Sequence, residues 1–289
     1  MSSALEQYVT GWEPTPLIET DVLEERACGW LADILDAANL APSGVLPPTW
    51  HWVYFTDWPG HQGLAADGHP NGGHFQPPIP ERRRMWAGGS VTSHADLILT
   101  EPVERTGTVL SATPKSGRSG EMVLVSVQYE HRQRGEVRLT EVQNHVYRSG
   151  AGGSDAARSW PPRPTRRPDS DAPWQHEIRT DPISLFRMSA ITGNSHRIHY
   201  DRPYATEVEG YPDLVVHGPL LAQQLATLAL RQDPALQLAQ FDYRVQAPVF
   251  VGDPVTAVGT LTGADAELQV ISEGGRVHVA ATASYRRRS

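Results

Sequence analysis

The chain of 289 residues contains a single cysteine, Cys28, so no internal disulfide can form. The same count rules out a cysteine-rich zinc site and an iron–sulfur cluster. Lysine is nearly missing too: of 25 basic residues only Lys115 is a lysine, and 24 are arginines. Any anion site must therefore use guanidinium forks, which grip carboxylates and phosphates bidentately. No apolar run approaches the ~20 residues needed to span a bilayer. The opening Met1-Ser2-Ser3-Ala4-Leu5-Glu6 lacks the basic stretch and apolar run of a secretion signal. A cytoplasmic, soluble protein is expected. A net charge of −8 argues against duplex nucleic acid as a partner.

What is present is a chain rich in turn residues, with 25 Gly and 24 Pro, and enough apolar residues (39%) for a normal core. Ser149 to Pro173 is dense in Gly, Ser, Pro and Asp without apolar periodicity, which reads as a linker. Its Gly150-Ala151-Gly152-Gly153 leads only into prolines, so it is not a phosphate loop. The expected division is residues 1–148, a linker at 149–175, and residues 176–289.

In the first part, Asp21 is the expected N-cap of a helix running to about Asp36, because Val22, Leu23, Ala27, Trp30, Leu31, Ile34 and Leu35 recur at helical spacing. Trp50–Phe55 reads as an aromatic strand. A loop rich in Gly, Pro and His, including His61, His69 and His74, spans Thr56 to Arg83, and those histidines read as solvated. Strands follow from Met85, with a hairpin of Glu121–His131 and Glu136–Tyr147 around Arg134-Gly135. In the second part, Ile183–Ile191 reads as an apolar strand. Leu214–Val216 leads into an enclosed helix over Leu220–Leu230, with Pro219 in its first turn. Strands at Phe241–Val249, Pro254–Leu261, Ala266–Ser272 and Arg276–Arg286 close the chain. Each half thus reads as a helix followed by antiparallel strands, an α+β arrangement present twice.

Three segments carry groups capable of chemistry. Thr192–Asp201 packs two histidines, an amide, a guanidinium and a carboxylate together, and imidazole is the natural base near neutral pH. Val216-His217-Gly218 heads the enclosed helix, where unpaired N–H donors can stabilise an enolate oxygen. Arg82-Arg83-Arg84-Met85-Trp86-Ala87-Gly88-Gly89 sets arginines beside an aromatic ring, either as an anion site or as a solvated face. A metal on His196, His199 and Asp201 is disfavoured, since the spacing is not that of a helical metal motif.

At these residues the chain resembles a known family. His196-Arg197-Ile198-His199-Tyr200-Asp201, continuing Arg202-Pro203-Tyr204-Ala205, is similar to the MaoC-like hydratase signature G-D-x-N-P-x-H-x-D, and Val216-His217-Gly218 stands where that family has its second glycine motif. Arg83–Gly89 resembles the subgroup with an N-terminal dehydratase-like domain, which includes 3-hydroxyacyl-thioester dehydratase type 2 and the mesaconyl-CoA and itaconyl-CoA hydratases. The resemblance implies a double hot-dog fold of one pseudo-dimer and reversible hydration of 2-enoyl thioesters without a cofactor. It implies His199 as base, Asn194 holding the water and Gly218 donating to the enolate. Arg84, Trp86, Gly88, His196, Arg197, Asp201 and His217 are the implied substrate-binding residues, with Asp201 orienting a histidine and Arg197 or Arg84 holding a second carboxylate. Asn194 stands where the signature has aspartate, and an amide cannot exchange a proton. The acyl group expected is short and branched or dicarboxylic, as in mesaconyl-CoA. A 3-hydroxyacyl dehydratase working on an acyl carrier protein and a non-catalytic thioester-binding module are the alternatives. A homodimer is expected.

Overall fold

The computed structural model describes residues 5–38, 40, 44–117, 120–149 and 159–287. Along the chain run β1 (Leu17–Val22), α1 (Glu25–Ile34), β2 (Val45–Leu46), β3 (Arg83–Ser93), β4 (Leu97–Ile98), β5 (Pro102–Gly117), β6 (Gly120–Gln133), β7 (Glu136–Arg148), β8 (Trp174–Ile178), α2 (Pro182–Ile191), α3 (Gly218–Gln232), β9 (Leu236–Val245), β10 (Val255–Thr262), β11 (Asp265–Ser272) and β12 (Arg276–Arg287). Ten strands form one antiparallel sheet in the order β1-β5-β6-β7-β3-β9-β12-β11-β10-β8, and β2 pairs with β4 apart from it. The first five strands of that order come from the first half of the chain and the last five from the second. This is the α+β double hot-dog arrangement.

The halves are joined at β3–β9, where Gly88 faces Arg244 and Gly89 faces Tyr243. Both glycines are demanded by packing. A Cβ on Gly88 would lie 2.3 Å from Tyr243 O, and one on Gly89 2.1 Å from Val142 O. Gly88 also has φ +146° at a bulge in the β3–β7 pairing, a conformation that favours glycine. The expected β6–β7 hairpin is present, and its two-residue turn has φ +53° at Arg134 and +79° at Gly135, as a type I′ turn requires.

Helix α3 lies against β8, β9, β10, β11 and β12, with every residue from Leu220 to Ala229 buried. Two of its polar side chains reach the other half. Trp50 Nε1 donates to Thr227 Oγ1 (3.2 Å) and Gln223 Nε2 donates to Thr49 O (3.1 Å). Among the described residues no helix is long and apolar enough to cross a membrane.

Four expected elements differ. The helix of the first half begins at Glu25, with Glu24 rather than Asp21 as its N-cap. Asp21 belongs to β1, where alternate residues face inward and the strand pairs with β5. Trp50–Val53 is a 3-10 turn, not a strand; Pro47 and Pro48 just upstream cannot donate to a ladder, and Trp50 is driven fully under α3. Ile183–Ile191 is helical: Asp181 accepts from the N–H groups of Ile183 (2.8 Å) and Ser184 (3.0 Å), with Pro182 in the first turn. The last helix is followed by a strand at Leu236–Val245, five residues earlier than its expected start at Phe241. The interior of the linker, 150–158, lies outside the described residues, as does Pro42.

Candidate active site

Helix α2 ends in a Schellman turn that delivers Asn194. Gly193 takes φ +61°, its N–H reaching toward Ala190 O (3.5 Å), while Asn194 N–H bonds Ser189 O (2.9 Å). Asn194 Oδ1 then accepts from His196 N–H (3.0 Å), and its NH2 group has no partner among the described residues. A 3-10 turn over Arg197–His199 follows, and Val215 N–H closes it onto Ile198 O (2.9 Å).

That closure fixes His199. Its Nδ1 lies 2.7 Å from Val215 O, which can only accept, so the ring proton sits on Nδ1 and the Nε2 lone pair is free. Burial pushes the imidazole down to about 4, so it stays neutral at pH 7, outweighing the Val215 bond that favours the charged form. His217 stacks beneath it, ring centroids 3.7 Å apart and planes 16° off parallel, and is held by Ser189 Oγ at 2.9 Å. His217 is 2% exposed and also held neutral by burial. It forms the floor under His199, and its Nδ1 is left without a hydrogen-bond partner among the described residues.

Gly218 begins α3, and Pro219 supplies no N–H, so the Gly218 N–H stands alone at the helix entry with no partner among the described residues. A Cβ there would meet only Val245 Cγ2, at an ordinary 3.5 Å. Unlike Gly88, Gly218 is not required by the packing of the protein itself.

Several expected binding residues are engaged elsewhere. Arg197 gives Nε and Nη2 to Asp201 (2.9 and 2.7 Å) and Nη1 to Ala66 O (3.0 Å), and its guanidinium lies over Tyr204. Asp201 thus orients an arginine, not a histidine, and caps Tyr204 N–H (3.2 Å); the Arg197 bonds hold its carboxyl below the usual range. Gly88 belongs to the seam, and Trp86 is stitched across it by Nε1 donating to Tyr243 OH (2.9 Å). Arg83 pairs with Glu209 and Arg82 with Gln76. Arg84 is different: only Nε is used, toward His145 Nδ1 at 3.3 Å, and both Nη groups remain without a partner among the described residues.

Two groups of residues escaped the sequence reading. On β7, Glu141, Gln143 and His145 face inward in alternation, and Glu141 accepts from Trp52 Nε1 (2.6 Å), with His51 Nε2 3.0 Å away. The period-2 pattern of β7 was legible; that its inner face is polar was not. The second group is Asp67 and His69, from the supposedly solvated loop. His69 lies on His196, ring centroids 3.9 Å apart, with its Nδ1 3.0 Å from Asp67 Oδ2, and His196 meets His199 edge-on at 5.6 Å. His61 and His74 are exposed, as expected.

The sequence profile of the hydroxyacyl-thioester dehydratase type 2 family matches residues 49–251. Mesaconyl-C(4)-CoA hydratase of Chloroflexus aurantiacus is 39% identical over 271 residues, covering 91% of this chain and 94% of that protein. The chain belongs to the hydroxyacyl-thioester dehydratase type 2 family. It is a hydro-lyase. The mitochondrial hydroxyacyl-thioester dehydratase type 2 of Schizosaccharomyces pombe is 37% identical over 84 residues, 28% of each chain. Among solved structures, a MaoC-like dehydratase from Phytophthora capsici superposes with TM-score 0.69 at 15% identity, over 95% of this chain and 96% of that one. A Mycobacterium tuberculosis protein described as having a double hotdog fold gives TM-score 0.58 at 13% identity, over 97% and 98%. These two likenesses show the fold.

Proposed function

We propose that the protein catalyses the reversible hydration of a 2-enoyl-CoA thioester to a 3-hydroxyacyl-CoA, with a short branched or dicarboxylic acyl group of the mesaconyl type and citramalyl-CoA as product. The observation that carries the reading is the state of His199: neutral, fixed through Nδ1 on Val215 O, with Nε2 left to accept a proton. In this reading Nε2 takes a proton from water as the oxygen bonds the β-carbon. The NH2 of Asn194, which has no partner among the described residues, donates to that water and holds it. The electron pair displaced from the double bond moves onto the thioester oxygen, where the Gly218 N–H meets the developing charge. Arg84, with both Nη groups unused, binds the second carboxylate of the acyl group. The substrate class is supported by the 39% identity to mesaconyl-C(4)-CoA hydratase over 91% of the chain.

The test follows the ultraviolet absorbance of the conjugated thioester with mesaconyl-CoA, itaconyl-CoA and crotonyl-CoA, using wild type and His199→Ala. Loss of absorbance with the wild type alone, fastest on the dicarboxylic substrates, is expected. Equal rates on crotonyl-CoA refute the dicarboxylic assignment, and an active His199→Ala refutes the base.

A further inference from the structure

Adding water across a double bond moves two protons: one leaves the water, and one arrives at the α-carbon. His199, read as above, accounts for the first, and the present inference rests on that reading. Asn194 cannot account for the second, because an amide does not exchange protons and its Oδ1 is already taken by His196 N–H. A second ionisable pair stands beside the same histidines, and the other half of the chain supplies it.

The Ala65–His69 turn is docked on the 195–197 segment by three hydrogen bonds. Arg197 N–H donates to Asp67 O (2.8 Å), Arg197 Nη1 to Ala66 O (3.0 Å) and Ser195 Oγ to Gly68 O (2.5 Å). The approach is so close that a Cβ on Gly68 would lie 1.9 Å from Ser195 O, and Gly68 has φ +90°. The turn thereby presents Asp67 Oδ2 to two rings, 3.0 Å from His69 Nδ1 and 4.0 Å from His196 Nε2. Burial would raise the Asp67 carboxyl, yet its hydrogen bonds to the ring and the backbone N–H of His69 bring it down to about 2. The carboxylate is thus a standing counter-charge for an imidazolium. His69 Nε2 has no partner among the described residues, and the side chain is 24% exposed, so it can exchange protons with solvent.

We propose that Asp67 and His69 are the second proton-transfer pair of the reaction, with His69 protonating the α-carbon. In this proposal the donor is the doubly protonated ring of His69, its Nδ1–H held by the Asp67 carboxylate. Water loses one proton to His199 Nε2 as its oxygen bonds the β-carbon, and the C=C electron pair shifts to give the thioester enolate. The enolate takes the Nε2 proton of His69 at the α-carbon, and the thioester carbonyl re-forms. His199 is left protonated and His69 neutral; one proton passes between them through solvent water. One water has been added and both groups are restored.

The experiment uses the full-length chain on whichever of the three thioesters the wild type hydrates fastest. It compares wild type, His69→Ala, His69→Gln and His199→Ala, each checked for folding by circular dichroism and for bound metal by elemental analysis. For His69→Ala, kcat is expected to fall by about 10²–10⁴, with KM changed by less than about threefold. Added imidazole should restore part of the rate in His69→Ala by entering the emptied, partly exposed space. It should restore none in His69→Gln, where glutamine fills that space. Near-wild-type kcat in either His69 variant overturns the proposal, as does a folded His69→Ala that imidazole does not rescue. Stoichiometric divalent metal in the wild type, lost in His69→Ala, also overturns it: the ligand atoms of Asp67, His69 and His196 lie within 4.8 Å of one another, and they would then form a cation site. If His69→Ala does not fold, His69→Gln decides alone. An active His199→Ala would instead refute the reading of the base, whatever His69 does.

Discussion

Gly218→Ala isolates the helix entry from the rest of the protein. The added methyl meets only Val245 Cγ2, at 3.5 Å, an ordinary van der Waals distance. The position carries no positive φ, and alanine is the better helix former by at most about 1 kcal/mol. The fold should therefore be unaffected or slightly stabilised. A substrate oxygen accepting from the Gly218 N–H must come within about 2.7–3.1 Å of that nitrogen. A Cβ one bond from the same backbone occupies part of that approach. Losing one such donor costs about 10²–10³ in kcat, or about 3–4 kcal/mol. The assay is thermal unfolding by circular dichroism beside thioester hydration on the same preparation. An unchanged or raised Tm together with a hundredfold or greater loss of kcat (about 3 kcal/mol) is expected. Full activity in a folded Gly218→Ala would refute the assignment of the helix entry as the enolate site. Gly88→Ala is the matched control, since its methyl would lie 2.3 Å from Tyr243 O across the seam. It should lose stability first and activity only as a consequence.

Other outcomes follow from the same structure. His131, His145, His196, His199 and His217 are all held neutral by burial, His199 at about 4 against an ordinary 6.5. The unfolded chain therefore binds more protons than the folded chain below pH 6.5. Stability is complete above that pH and falls with decreasing pH, by at most about 1.4 kcal/mol per group per pH unit. Urea midpoints at pH 7.5 and 5.5 should differ clearly, and equal midpoints would refute the neutral assignments. Arg84→Gln should raise KM for mesaconyl-CoA by about 10–100-fold while leaving crotonyl-CoA unaffected; a parallel loss on both would mean that Arg84 serves the fold. Asp201→Asn should weaken the hold on Arg197 without changing the pH dependence of kcat, because Asp201 touches no histidine.

Much of the site was legible because its residues are close in sequence. Asn194 and His199 share one loop, and the Pro219 start and all-round apolar character of α3 placed Gly218 at a helix entry. The helix over Pro182–Ile191 was missed although its signals were present, with Asp181-Pro182 at the start and Gly193 at the end. The continuous apolar run outweighed them, since such a run does not separate a buried strand from a buried helix. Asp67 and His69 were unreadable for a different reason. They stand more than 120 residues before His196 in a loop whose composition is that of any solvated turn, and only the docking of that loop on Ser195 and Arg197 makes them a pair facing the site.

The order of motifs, the enclosed helix after Val216 and the place of His199 in a short polar loop were set by the sequence alone, because each depends on residues within a turn or two of one another. The tertiary structure decided how the side chains of those residues are engaged within the protein. Arg197, Trp86, Gly88 and His217 have chemistry suited to binding, but an ion pair, a seam between two sheets and a ring stack occupy them. Arg84 and His69 keep unpaired nitrogens because of what lies next to them in space. Side-chain availability is settled by contacts between distant segments, and no local pattern encodes those.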